Sequence, residues 1–117
     1  MTYVFVAIAP VPIDKKEDYI AVSKAFGDAF TAHGATRYLE VWEEDIPEGE
    51  VTSFPMSVKR EPGEAVVMSW TEWSSKADAD NAWEKMQQDT EMMKVMQSAP
   101  MDGKRMIFGG FSVIYSV

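Results

Sequence analysis

The sequence predicts an α+β fold of the ferredoxin-like type, with element order βαββαβ, a four-stranded antiparallel sheet and two main helices on one sheet face. Two observations support this prediction. Segments with strand-like and helical periodicity follow one another in the order strand, helix, strand, strand, helix, strand. A loop rich in proline and glycine joins the two halves of this order, and the whole chain (1–117) is predicted to form a single domain.

The first and last strands are predicted from apolar runs near the two ends of the chain. Residues 3–10 (YVFVAIAP) and 106–115 (MIFGGFSVIY) are apolar at nearly every position. A strand with one face in water alternates apolar and polar residues, whereas a strand covered on both faces is apolar throughout. The sheet is therefore predicted to be covered on both sides. Gly109 and Gly110 predict a bulge or a close approach to the backbone of the last strand.

The first helix is predicted to begin near Lys15 and to end before Gly34. Asp14 precedes Glu17 by three residues, a spacing close to that of a capping box at a helix start. Apolar residues then follow at the three- and four-residue spacing of one helical face. They are Tyr19, Val22, Phe26 and Phe30, and His33 continues the stripe. Gly34 suits the left-handed residue that ends many helices.

The second strand is predicted over residues 36–43 (TRYLEVWE), with Tyr38, Glu40 and Trp42 on one face. Residues 44–64 follow as a loop. Loops of this length in a compact domain more often have a function or contact a partner than serve as connections alone. Within the loop, residues 51–55 (VTSFP) predict a short extended piece. We expect Phe54 to be buried there, against a dimer partner or at the mouth of a pocket.

The third strand is predicted over residues 65–73 (AVVMSWTEW). Ser74 and Ser75 offer a cap for the second main helix. Its helical period is continued by Ala79, Ala82, Trp83 and Met86. Asp89 predicts a break and the cap of a short further helix, which Pro100 ends.

The two main helices cover one sheet face, so the other face needs a different cover. Because several strands are apolar on both faces, a monomer would expose an unusually large apolar surface. The simplest cover is a second copy of the chain. We therefore predict a homodimer that buries upward of about 1,200 Å² in total.

Composition and charge exclude several classes of function. The chain has no cysteine, so disulfides, thiolate metal sites and cysteine nucleophiles are impossible. Its net charge of −8 argues against nucleic-acid binding, which draws on lysine and arginine. Neither a signal-peptide pattern nor an apolar run approaching the roughly 20 residues that span a bilayer is present. We expect a cytoplasmic protein with no nucleic-acid partner, no membrane partner and no cofactor.

No metal site is predicted. His33 is the single histidine, so one chain cannot form a histidine-based metal triad. Six of the nine methionines lie between Met86 and Met106. Flexible filling of a core or an interface explains them better than binding of a soft metal, because no histidine or cysteine cluster accompanies them.

Three residues are candidates for acid–base catalysis: His33, Glu40 and Glu72. A histidine can titrate near neutral pH, which would suit acid–base catalysis. At the end of a helix it can instead have a purely structural role, because it interacts favourably with the negative pole of the helix dipole. A carboxylate beside aromatic rings is desolvated, which would suit Glu40 and Glu72 to proton transfer. The structural alternatives are an edge-strand charge at Glu40 and a solvated strand end at Glu72.

A ligand pocket is predicted where the second and third strands are neighbours. Alternating positions share one face of a strand, and the predicted lining is Tyr38, Glu40, Trp42, Trp70 and Glu72. Aromatic walls with a few polar groups are typical of small-molecule sites, so a small aromatic or planar ligand is expected. The prediction depends on register, because a slip of one residue reverses which side chains face inward.

The chain also resembles a known family over nearly its whole length. The matching features, in order, are Val11-Pro12, His33-Gly34-Ala35 with Arg37-Tyr38, residues 51–55, residues 67–70 (VMSW) and residues 100–111 (PMDGKRMIFGGF). In these segments it resembles the bacterial DUF1428 (YbaA-like) family of the dimeric α/β-barrel superfamily. It departs just before Asp102, where family members carry a slightly longer Pro-Met-Pro-Phe-Asp approach. The resemblance implies the fold and the dimer, and little about activity.

Two classes of function follow for this uncharacterised protein. One is a small-molecule-binding protein or cofactor-independent enzyme, of monooxygenase or isomerase type by fold analogy, with a pocket between sheet and helices. The other is a non-catalytic homodimeric interaction or regulatory module. An ionisable residue facing a cavity favours the first class, and a sheet interior filled by side chains favours the second.

Overall fold

The computed structural model describes residues 2–117 and contains one four-stranded antiparallel sheet with strand order β2-β3-β1-β4. This is the strand order of the ferredoxin-like fold, so the predicted fold class is confirmed. The elements are β1 (Tyr3–Pro12), a 3-10 turn (Ile13–Lys15), α1 (Lys16–Ala32), β2 (Arg37–Trp42), α2 (Phe54–Ser57), β3 (Glu64–Trp73), α3 (Lys76–Gln87), α4 (Thr90–Ser98) and β4 (Ile107–Ser112).

The two faces of the sheet differ in what covers them. Ala9 pairs with Val67, and Val67 pairs with Trp42, so these three side chains share one face. Tyr19 of α1 packs against them in the buried core. We call this the helix face. The opposite face, called the open face, carries Val4, Val6, Ile8, Leu39, Val41, Met68, Trp70, Ile107 and Phe111.

The open face exposes apolar side chains in the single chain. Val41 is 44% exposed and Phe111 is 59% exposed, although both lie within strands. The strands are apolar on both faces, as the sequence predicts, and the single chain leaves the open face without a covering layer of helices.

The first helix confirms the predicted apolar stripe and its end. Tyr19 is buried, and Gly34, just beyond the helix, has the left-handed φ of 109°. The predicted capping box is wrong. Asp14 lies in the 3-10 turn before α1, and the helix begins without a side-chain cap. The turn is held differently, because the Ile13 backbone N–H donates to the carbonyl of Gly63 at 2.9 Å.

The predicted extended piece in the long loop is instead a single helical turn, α2. Ser53 caps it, since its Oγ accepts from the Met56 backbone N–H at 3.1 Å. Pro55 falls in the first turn, where a missing N–H costs nothing. Phe54 begins this turn and is 46% exposed in the single chain.

The two later helices begin where the sequence predicts. Ser75 Oγ accepts from the Asp78 backbone N–H at 3.1 Å at the start of α3. Asp89 Oδ1 accepts from the backbone N–H groups of Glu91 and Met92 at the start of α4. Within residues 2–117, none of the helices has the length and apolarity to cross a membrane.

The last strand is shorter than its apolar run. β4 pairs with β1 as far as Ser112, which lies opposite Tyr3 at the beginning of β1. Beyond that point one further backbone hydrogen bond follows, from the Val113 N–H to the carbonyl of Thr2 at 3.0 Å, and the strand ends. The register is continuous, and the predicted close approach occurs at Gly110. A Cβ built there would lie 1.7 Å from Tyr3 Oη, so the tyrosine ring occupies the space that a side chain would need.

An arginine network ties the turn before β4 to the beginning of β3. The Arg105 guanidinium donates to both carboxylate oxygens of Glu64 at 2.8 Å and to Asp102 Oδ2 at 2.9 Å. It also donates to the backbone carbonyl of Lys59 at 3.0 Å. The hydrogen bond from Arg105 lowers the pKa of both Glu64 and Asp102 below their usual values.

This network predicts an acid-dependent stability. A carboxylate with a lowered folded-state pKa stabilises the fold above its unfolded-state pKa, and the contribution is lost as pH falls through the folded-state value. We expect Arg105→Gln to raise the acid-unfolding midpoint by about half a pH unit. Circular dichroism at graded pH measures this. Lys85→Gln removes the same charge from the exposed surface of α3 and serves as the control, so an equal shift in both variants would contradict the role of Arg105.

Candidate functional site

The candidate site is centred on Glu40, in the middle of β2. Glu40 lies opposite Ser69 of β3, and alternation along the strand places Tyr38, Glu40 and Trp42 together on the helix face. Because α1 crosses this face, a charged side chain on an edge strand meets a helix instead of water. The carboxylate is half-buried.

Three hydroxyl groups donate to the Glu40 carboxylate. Tyr19 Oη, from α1, donates to Oε1 at 2.5 Å. Ser69 Oγ, from β3, donates to Oε2 at 2.6 Å, and the Tyr38 hydroxyl donates to the same oxygen. The donors come from three different elements, so folding itself assembles the cluster.

The cluster has one acceptor position to spare. A carboxylate offers about four lone-pair directions, and the three hydroxyls use one on Oε1 and two on Oε2. Burial, followed by the charge of Glu40, raises the pKa of Tyr19 and Tyr38 far above the usual value of 10.0. Both tyrosines therefore stay protonated and act as donors, and the remaining capacity of Oε1 is available to a further donor.

A groove of about 630 Å³ runs between α1 and β2 beside this cluster. Trp42 forms one wall, with its ring centroid 6.5 Å from that of Tyr19. The ammonium group of Lys16 lies 5.0 Å from the Trp42 centroid, in the range of a cation–π contact. The groove thus combines an aromatic wall, a cation and a carboxylate.

Gly27 sets how closely α1 approaches the sheet at this groove. A Cβ at position 27 would lie 3.1 Å from the Tyr38 ring, tighter than ordinary van der Waals contact. The glycine lets the helix backbone lie against Tyr38, which keeps that hydroxyl within reach of Glu40.

The structure divides the predicted pocket between the two faces. Tyr38, Glu40 and Trp42 line the groove. Trp70 and Glu72 lie on the open face, where Trp70 Nε1 donates to Glu72 Oε2 at 2.8 Å. The shared pocket is therefore wrong as predicted. The register of β2 and β3 brings Ser69 and Thr71, and not their neighbours, to the helix face.

The other predicted site residues lie away from the groove. His33 follows α1 directly, and its backbone N–H donates to the carbonyls of Ala29 and Phe30, as expected for the end of a helix. Phe54 is on α2, is partly exposed in the single chain and does not line the groove, so its burial by a partner chain stays a prediction.

Tyr19 and Ser69 complete the site, although the sequence did not single them out. Tyr19 is part of the apolar stripe of α1, and a tyrosine at such a position is ordinarily interpreted as a core residue. Ser69 offered a signal, because it is a lone polar residue between Met68 and Trp70 in an otherwise apolar run. A buried hydroxyl needs a hydrogen-bond partner, and Glu40 is that partner.

Among the residues that the structure describes, no group of three or more histidine, aspartate or glutamate side chains is arranged to hold a metal ion. The Glu40 cluster is instead a carboxylate with hydroxyl donors. Its chemistry is that of hydrogen bonding and proton transfer.

Comparison with known proteins places the chain among relatives of unassigned activity. A family model described as "Protein of unknown function (DUF1428)" matches residues 2–103. The "Uncharacterized protein YbaA" of Escherichia coli (strain K12) is 45% identical over 114 residues, which cover 97% of each chain. YbaA of Shigella flexneri has the same identity and coverage.

Solved structures share the fold at low sequence identity. SnoaB, a cofactor-independent oxygenase from Streptomyces nogalater, is 13% identical with a TM-score of 0.59, covering 99% of this chain and 96% of its own. A dimeric ferredoxin-like protein from an uncultured marine organism is 10% identical with a TM-score of 0.59, covering 99% and 98%. At such identities the likeness shows the fold alone.

Proposed function

The chain belongs to the DUF1428 family, and from that premise we propose that it is a small-molecule-binding protein whose ligand occupies the groove beside Glu40. The observation that carries the proposal is the spare acceptor position on Glu40 Oε1, at the floor of a groove walled by Trp42. A carboxylate serving only to hold the fold would need no groove beside it.

The groove defines the kind of ligand. A planar molecule would stack on Trp42, and a hydroxyl or N–H group on it would donate to Glu40 Oε1. A volume of about 630 Å³ suits a molecule of two or three rings. Lys16 at the same wall favours a ligand that also carries an acceptor or a partial negative charge.

The same geometry supports a cofactor-independent enzyme as the catalytic form of this proposal. A donor held against Glu40 Oε1 is placed to transfer its proton to the carboxylate, while Tyr19 and Tyr38 stabilise the anionic cluster as donors. SnoaB is described as a cofactor-independent oxygenase and has this fold, which makes proton abstraction from a bound aromatic molecule the reaction class to test first.

We also propose that the protein is a homodimer joined through the open face. The support is the exposed apolar surface of that face, including Val41 and Phe111, together with the dimeric state of a neighbour with the same fold. The alternative function is a non-catalytic homodimeric interaction or regulatory module. A groove that binds no small molecule would favour this alternative.

A matched pair of probes tests the ligand site. We expect 2,3-dihydroxynaphthalene to bind and to shift the NMR resonance of the Trp42 indole N–H, whereas 2,3-dimethoxynaphthalene, which lacks donors, binds much more weakly. Glu40→Gln should weaken binding of the dihydroxy probe at least about tenfold, because a hydrogen bond to a charged acceptor is lost.

Glu84→Gln, on the exposed surface of α3, removes the same charge and should leave affinity unchanged. Equal affinity of the two probes, or a Glu40→Gln variant that binds as tightly as the parent, would contradict the proposed role of Glu40. A Trp42 resonance that stays fixed at saturation would show that the ligand lies elsewhere.

A further inference from the structure

A second cavity, distinct from the Glu40 groove, lies between the helix face of the sheet and helices α1 and α3. It has a volume of about 300 Å³. Its walls are mainly aromatic and include Phe5, Phe30, Trp73, Trp83 and Phe108. Phe30 also contacts the ring of Tyr38, with 5.4 Å between centroids, so these two side chains stand between the cavity and the groove.

The aromatic walls are arranged as surfaces for a further ring. Phe30 meets Trp73 edge-on, at 85° and 6.0 Å between centroids. Phe5 and Phe108 lie on neighbouring strands, 6.0 Å apart and tilted by 34°. Aromatic pairs at these distances present both ring faces and ring edges, the two surfaces that a planar aromatic guest packs against.

The cavity opens to solvent between two large side chains. Phe108 is 66% exposed and Trp83 is 40% exposed. Aromatic residues exposed at the mouth of an aromatic cavity lose solvent contact when a guest enters, which favours binding. Gly110 keeps Tyr3 at the cavity, because any larger residue there would displace the tyrosine ring.

The Thr71 hydroxyl is a polar group of the lining that can recognise a guest. Thr71 is only 3% exposed and lines the cavity, and its hydroxyl takes part in none of the side-chain hydrogen bonds within residues 2–117. The charged residue of the lining, Asp80, is paired with Lys76 at 2.6 Å on the exposed surface of α3. The interior is therefore neutral, and its hydroxyls are those of Thr71 and of Tyr3, the second of which lies against Gly110.

We propose that this cavity binds a neutral, planar aromatic molecule of about two fused rings that makes one hydrogen bond to Thr71 Oγ1. A volume of about 300 Å³ lies at the small end of the range for ligand sites, which fits two rings and excludes larger polycyclic molecules. The site does not depend on the Glu40 groove, because its hydrogen-bonding partner is a neutral hydroxyl where that of the groove is a carboxylate.

The four tryptophans make the test specific, because they divide among three environments. Trp73 and Trp83 line the cavity, Trp42 lines the groove, and Trp70 lies on the open face. In the ¹⁵N-labelled protein titrated with unlabelled indole, we expect the Trp73 and Trp83 indole N–H resonances to shift, with a dissociation constant below about 1 mM. The Trp70 resonance should stay in place, and a shift of Trp42 would report binding in the separate Glu40 groove, to which the indole N–H can also donate.

Two variants connect the binding to the cavity itself. Thr71→Val should weaken indole about fivefold and leave benzofuran, which has the same shape without the N–H, unchanged. Ala79→Leu fills the cavity from α3 and should weaken both probes at least about tenfold. If Ala79→Leu fails to fold, the Thr71→Val comparison still decides.

The proposal is overturned if indole shifts Trp70 as much as Trp73 and Trp83, or if Thr71→Val affects indole and benzofuran equally. It is also overturned if no resonance moves up to about 5 mM indole, the result expected if a partner chain already fills the cavity. None of these outcomes bears on the Glu40 groove, which is tested separately through Trp42.

Discussion

Above pH 10, the folded protein is expected to lose about 1.4 kcal/mol of stability per pH unit for each of Tyr19 and Tyr38. Burial, and then the Glu40 carboxylate, raises the folded-state pKa of both phenols far above the usual value of 10.0. The unfolded chain releases these protons near pH 10 and the folded chain retains them. Stability from the raised pKa is therefore complete below pH 10 and lost as pH rises beyond it.

Variants with a single tyrosine replaced by phenylalanine should be less stable than the parent at neutral pH and should lose less stability than the parent above pH 10. At neutral pH, Tyr19→Phe removes a hydrogen bond to a charged acceptor and should cost about 2 kcal/mol. Above pH 10 the variant no longer has a proton to retain, so its stability declines more slowly with pH than that of the parent. The two curves of stability against pH should cross at about pH 11.5. Urea unfolding followed by circular dichroism at each pH measures them.

The cause of the raised pKa can be tested on Glu40. Because burial is the larger cause, Glu40→Gln should remove only part of the alkaline loss of stability. As a control for the loss of a phenol, Tyr115→Phe removes one from the exposed C-terminal segment. Parallel curves for the parent and Tyr19→Phe above pH 10 would show that Tyr19 ionises freely in the folded protein.

Much of the fold was predictable because it depends on local periodicity. The helical stripe that begins at Tyr19, the caps at Ser75 and Asp89, and the strand alternation around Glu40 are each set within a few residues. The capping box at Asp14 was wrong for a non-local reason. The turn there is held by a hydrogen bond between Ile13 and Gly63, fifty residues apart in the sequence.

The site was half-predictable for a related reason. Alternation along β2 alone places Tyr38, Glu40 and Trp42 together. Whether Ser69 or Trp70 faces Glu40 depends on the register between β2 and β3, and a long loop connects these strands in place of a tight turn that would fix it. The position of the Tyr19 hydroxyl beside Glu40 depends, in addition, on the angle at which α1 crosses the sheet.

The apolar end of the chain shows how tertiary pairing overrides a local pattern. Residues 106–115 are uniformly apolar, yet β4 ends at Ser112 because its partner β1 begins at Tyr3. Ile114 and Tyr115 are therefore exposed in the single chain. Apolar residues beyond the last pairing position are consistent with a surface that a second chain covers.

A single charge at the centre of the open face is expected to convert a dimer to a monomer. Met68 pairs with Ile8 on one side and Val41 on the other, so it occupies the middle of the apolar surface. In a dimer joined through this face, Met68→Asp buries one uncompensated carboxylate from each chain. Burial of an unpaired charge costs several kcal/mol, which should raise the dissociation constant at least about a thousandfold.

Sedimentation equilibrium at low micromolar concentration distinguishes the outcomes. The parent should sediment at twice the chain mass of 13.2 kDa, and Met68→Asp at the chain mass itself, with its helices and sheet retained.

Ala21→Asp adds the same charge on the exposed side of α1 and should remain dimeric. Met68→Leu should also remain dimeric, since it keeps an apolar side chain of similar volume. A folded monomer of the parent chain would remove the open face as an interface. A dimeric Met68→Asp protein would place the interface elsewhere on the surface.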